Sequence, residues 1–97
     1  MLVHNVLFWL KEDLSESQLQ NFKSGLESLK LIDSESCFIG TPAITDRPAI
    51  DRSYSFCLTV IFADMVAHDA YQVHPLHKDF LNKFNTFWNK VLIYDAD

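Results

Sequence analysis

The sequence predicts an α+β fold of the ferredoxin-like kind: β-α-β-β-α-β, an antiparallel four-stranded sheet, and a second helix split in two. Three observations carry this prediction. Apolar residues recur at strand spacing in four runs and at helical spacing between them. The clearest strand has Tyr54, Phe56, Leu58, Val60 and Phe62 alternating with Ser53, Ser55, Cys57, Thr59 and Ile61. Pro75 stands inside the last helical stretch, where it disfavours α conformation at His74 and suits a first helical position.

Residues 2–10 are rich in β-forming types. Period two places His4, Val6, Phe8 and Leu10 on one face and Val3, Asn5, Leu7 and Trp9 on the other. Both faces are largely apolar, so both should be covered. Ser15 then reads as an N-cap with Gln18 three residues on, a capping box, and Leu14 and Leu19 sit where a hydrophobic staple closes. Leu19, Phe22, Leu26 and Leu29 continue at helical spacing to about residue 30, with Gly25 beside that stripe. A short strand follows over residues 35–41, around Cys37, Phe38 and Ile39, and a loop runs from Thr41 to Arg52. After the strand of residues 53–62, Asp64 caps a helix running to about Val73. The next helix starts at Pro75 and ends near Asn85, and Trp88 to Tyr94 returns to strand.

With 97 residues the chain predicts one domain. A domain of this size buries roughly 60% of its unfolded surface, so it needs dense packing or a partner. Helices on one side of the sheet leave Leu7, Trp9, Cys57, Ile61 and Leu92 on the other. Two such faces packed together predict a homodimer. A net charge of −5 without a basic cluster argues against nucleic-acid binding. Cys37 and Cys57 form no CxxC motif and read as buried free thiols. The first ten residues have no basic start or small-residue cleavage site and fall short of the ~20 apolar residues that cross a bilayer. A soluble cytoplasmic protein without a membrane partner is the expectation.

The chemistry concentrates in Tyr71-Gln72-Val73-His74-Pro75-Leu76-His77. His77 falls in the first turn of a helix, where the dipole and burial both favour neutral imidazole. A neutral histidine can act as a base, and a nearby tyrosine hydroxyl can polarise a carbonyl. Tyr71 and His77 are therefore the candidate catalytic pair. His4, Phe8, Phe56, His74 and Trp88 are the candidate pocket residues around them. Four of them also have a structural alternative: His74 as a helix cap, His4 as a hydrogen-bonded core residue, Tyr71 as a core aromatic, His77 as a satisfied, partly buried histidine. His68 reads as solvated. No metal is expected, because no carboxylate stands at ligand spacing from His74 and His77, and no cofactor is expected.

These segments resemble the stress-responsive A/B barrel (Dabb) domain family. The resemblance rests on His4-x-Val6-Leu7-Phe8, on Tyr71-x-x-His74-Pro75-x-His77, and on Phe87-Trp88-x-Lys90-x-Leu92-Ile93-Tyr94-Asp95. It implies a dimeric α+β barrel. A plant cyclase of that family closes a linear polyketide by aldol condensation without metal or cofactor. By that resemblance its base histidine corresponds to His77 and its substrate-orienting tyrosine to Tyr71, with His4 and His74 as further matches. This chain has Phe56 where the cyclase has a histidine, and Gly25 where it has a tyrosine. The expected function is a homodimeric barrel whose apolar pocket binds a small organic molecule. The alternative is a cofactor-independent cyclase or lyase with His77 as general base and Tyr71 at the carbonyl.

Overall fold

The computed structural model describes residues 1–97. Its strands are β1 (Leu2–Leu10), β2 (Ser36–Gly40), β3 (Phe56–Phe62) and β4 (Trp88–Ala96), and its helices are α1 (Glu16–Ser28), α2 (Met65–Gln72) and α3 (Pro75–Phe84). The sheet order is β2-β3-β1-β4 with every pair antiparallel. This is the ferredoxin-like arrangement that the element order predicts.

Local chemistry accounts for the boundaries. Ser15 Oγ accepts from the Gln18 N–H, and the Gln18 side chain accepts from the Ser15 N–H, completing the capping box of α1. The stretch beyond Ser28 tightens into a 3-10 turn over Leu29–Leu31. Asp64 caps α2 through the Ala67 N–H. The strand expected over residues 53–62 is shorter, beginning at Phe56. Serine chemistry ends the ladder there: the Ser55 N–H donates to the Phe8 carbonyl, but Leu10 N–H donates to Ser55 Oγ instead of a main-chain carbonyl. Ser53 is tied in through its side chain, which accepts from Trp9 Nε1.

The inward face of β1 carries Leu2, His4, Val6 and Phe8, all buried, against Leu58, Val60 and Phe62 of β3. The three helices cover this face with Phe22, Leu26, Tyr71, Phe80 and Phe84. Phe22 is fully buried at its centre, with Phe8, Phe56, Phe80 and Phe84 ring centroids 5.3–5.7 Å away. The absent side chain of Gly25 admits Phe84: a Cβ there would stand 2.3 Å from the edge of that ring.

The outer face is only partly covered. Phe38 and Tyr94 are exposed on it, with Leu7, Trp9, Cys57, Ile61 and Leu92 half-covered. Thr59 donates to Asn5 Oδ1 in its middle, and Lys90 lies over the Trp9 ring at 4.5 Å. Both cysteines are free and half-covered rather than buried. Burial still pushes the Cys37 thiol up from its ordinary value.

One irregularity matters for the site. Leu10 pairs with Trp88 and Trp9 with Lys90, so a β-bulge absorbs Asn89. The extra residue lets Trp88 share a face with Val91 and Ile93, three and five positions on.

Candidate functional site

A cavity of about 170 Å³ lies between the helix-covered face of the sheet and the junction of α2 with α3. Val6, Phe8, Leu58, Phe80 and Trp88 give it apolar walls, and the partly exposed Leu81, Val91 and Ile93 form a rim. Its polar lining residues are His4, Tyr71, Gln72 and His77. The helix break aims them. The His74 side chain accepts from the Leu76 N–H, capping α3, and Pro75 takes the first helical position. His77 therefore occupies the third position of α3, facing Tyr71 from the last turn of α2, with ring centroids 4.9 Å apart.

Tyr71 is 1% exposed, and its hydroxyl meets no hydrogen-bonding group of the protein. His77 Nδ1 is likewise buried without a protein partner. A buried polar group left in that state costs about 1–3 kcal/mol, so two of them on residues that line one cavity are an expensive way to fill a core. Burial also pushes the two titrations apart. It raises the Tyr71 phenol well above its ordinary value, with the Cys37 thiol adding slightly. It lowers the His77 imidazole, with the main chain of Gln72 pulling the other way and His4 adding to the depression. At neutral pH the pair is thus a phenol that donates and an imidazole that accepts a proton, the division of labour that acid–base chemistry needs.

The structure brings Tyr71, His77, His4, Phe8 and Trp88 of the expected residues to this cavity. It does not bring Phe56 or His74 there. Phe56 faces the helices but sits toward Phe22, ring centroids 5.6 Å apart, because its strand ends beside α1. His74 spends its ring nitrogen on the cap and lines a surface groove with Ile32 and Ala67, on which Tyr71 also borders. Gly25 also lies elsewhere, between α1 and α3.

His68, expected to be solvated, is instead mostly covered, its ring 5.3 Å from that of His4. The reason lies on β4. Register places Asp95 directly opposite His4, and His4 Nδ1 lies 2.5 Å from Asp95 Oδ1. Residues 91 apart in the chain give no sequence signal of this pairing. Gln72 was also not singled out, although it lies in the same seven-residue run.

A family model described as the stress-responsive A/B barrel domain matches residues 2–97. The chain is similar to olivetolic acid cyclase of Cannabis sativa, 24% identical over 93 residues, which are 95% of this chain and 91% of the cyclase. Among solved structures, a dimeric ferredoxin-like protein of unknown function from Thermobifida fusca superposes with a TM-score of 0.78 at 16% identity, covering 98% of this chain and 88% of that one. Hydroxynitrile lyase from Passiflora edulis has the same TM-score at 18% identity, over 98% of this chain and 90% of the lyase. No helix is long and apolar enough to cross a membrane.

Proposed function

The chain belongs to the stress-responsive A/B barrel domain family, and on that premise we propose that it forms a homodimer whose protomers each bind a small, mainly apolar organic molecule bearing a carbonyl group. The observation that carries this reading is the pair of buried polar atoms without a protein partner, Tyr71 Oη and His77 Nδ1, on two residues that line a mainly apolar cavity. A carbonyl oxygen accepts from the phenol, and the imidazole faces the adjacent carbon. The size is that of a single ring or a short chain. An apolar cavity of about 150 Å³ holds a benzene-sized molecule, whereas sites for drug-sized ligands run to ~300–1,000 Å³.

A panel of small ketones, aldehydes and hydrocarbons of equal size, scored by ligand-observed NMR, tests the reading. Carbonyl compounds should bind about tenfold more tightly than their hydrocarbon isosteres, the worth of one net hydrogen bond. Equal binding across the panel, or none at about 1 mM, would contradict it.

The dimer part rests on the outer face, where Phe38, Tyr94, Leu7, Trp9 and Leu92 form an apolar surface with Lys90 as its cation. Faces of this kind mark association sites. The Thermobifida fusca neighbour, described as dimeric, supports the same reading. Leu7→Glu puts a charge in the middle of this face, beside Cys57 and Leu92. Light scattering at micromolar concentration should show a dimer for the parent chain and a monomer for the variant. A parent chain that runs as a monomer contradicts the dimer.

A second reading, a cofactor-independent lyase or cyclase, is favoured by the opposed titrations of Tyr71 and His77. His77 takes the proton from the carbon next to the carbonyl, and Tyr71 holds the oxygen as charge develops on it. The same imidazole returns the proton to the product. The names of two relatives, a cyclase and a hydroxynitrile lyase, agree with chemistry of this class.

A further inference from the structure

We propose that His4, His68 and Asp95 form a site for one divalent ion of the zinc class, where β1, α2 and β4 meet. One ligand atom from each lies within 4.8 Å of the others. Two imidazoles and one carboxylate are a set that zinc accepts when a water takes its fourth position. Late transition ions in general favour imidazole nitrogen. The site is no loose surface cluster: His4 is 2% exposed and the His68 side chain 13%, while Asp95, at 40%, leaves a route for the ion.

The hydrogen bonding around His68 points the same way. Its Nδ1 lies 3.1 Å from Asp69 Oδ1, a second carboxylate outside the cluster. Donation of the ring N–H to Asp69 leaves Nε2 as a lone pair, and that atom stands 3.6 Å from Asp95 Oδ2. Nε2 then accepts from the Gln72 amide while also facing the Asp95 carboxylate, and a cation between nitrogen and carboxylate satisfies both acceptors at once. A carboxylate on the far nitrogen of a ligating histidine is also the usual outer support of a metal site. Ligand atoms around a tetrahedral zinc ion, with bonds of about 2.0–2.1 Å, stand roughly 3.3 Å apart. The distances from Asp95 to His4 and His68, 2.5 and 3.6 Å, bracket that value. Closure therefore needs shifts of about 1 Å, within reach of an exposed carboxylate on the last strand. Ligation at His4 Nδ1 needs the N–H of the neutral ring on Nε2, so the proton between Nδ1 and Asp95 Oδ1 moves to the other ring nitrogen. The Gln72 amide, 3.3 Å from His68 Nε2, turns aside. The site stands independently of the carbonyl-binding reading, although the His4 ring belongs to both.

Titration of the tag-free protein with Zn²⁺ by calorimetry, and with Co²⁺ by visible absorption, tests this. Uptake of one ion per chain is expected, with a dissociation constant of about 10⁻⁶ M or below. His68→Ala and Asp95→Asn should each weaken binding at least tenfold, and Cys37→Ser should leave it unchanged. The absence of saturable uptake at about 1 mM would overturn the site. So would binding that survives either of the first two variants or is lost with Cys37→Ser.

Discussion

Phe22→Ala should lower the stability of the fold by about 3–5 kcal/mol, the range for removing a large aromatic from a packed core. The side chain is fully buried and is the hub of an aromatic cluster. Phe8, Phe84 and Trp88 meet it edge-on, and Phe87 stacks at 6.4 Å. These rings come from β1, α3, β4 and the turn between the last two, so the deletion loosens the sheet from its helices at one stroke. Phe80 and Phe84 contact each other as well as Phe22. The cluster cannot collapse into the space without moving α3, which keeps the residual cavity term large. For a domain of this size each kcal/mol shifts Tm by about 4–8 °C. Urea unfolding at fixed protein concentration should show a much lower midpoint with an unchanged slope. A loss below about 1 kcal/mol would mean that this region repacks freely.

The second large effect concerns His77. If its neutral imidazole is a base beside a carbonyl bound to Tyr71, the protein should catalyse exchange of the α-protons of a small ketone in D₂O. His77→Ala should slow that exchange by about 10²–10⁴-fold, the usual contribution of a positioned general base. The pH profile follows from the direction of the shifts. Burial holds the imidazole below its ordinary value, so exchange should stay level through neutrality and fall only below about pH 6.5, histidine's ordinary pKa. Burial raises the Tyr71 phenol, so no alkaline limb is expected below about pH 10. Stability follows the same sign. Below about pH 6.5 the unfolded chain takes up a proton on this ring while the folded chain resists it. The contribution of His77 is therefore full above that pH and is lost as pH falls through the depressed folded value. Exchange that persists in His77→Ala, or that rises in acid, would remove His77 from the role of base.

Much of this architecture is legible in the sequence because it depends on local chemistry. Alternation alone put His4, Val6 and Phe8 on the covered face of β1. The capping box at Ser15 and the Asp64 cap follow from side chains within three residues of the groups they bond. His74 and Pro75 likewise announce the helix break that sets Tyr71 against His77.

What sequence reasoning missed depends on register. Strand parity cannot place Trp88 with Val91 until the bulge at Asn89 is known. Nothing near His4 or Asp95 tells that β4 lays one against the other, and hence that His68 has a covered place to go. Phe56 shows a further limit. Its face was readable from period two, but its distance along the strand from the cavity depends on where α1 crosses, and Phe22 takes it.

The central claim is that the Tyr71 hydroxyl serves a ligand and not the fold. Tyr71→Phe tests it most directly, with urea unfolding and the carbonyl-against-hydrocarbon comparison read on the same protein. The hydroxyl has no protein partner to lose. Stability should therefore hold or rise by up to about 3 kcal/mol, while the tenfold preference for carbonyl compounds disappears. A loss of more than about 1 kcal/mol with the preference intact would contradict the account and return Tyr71 to the core.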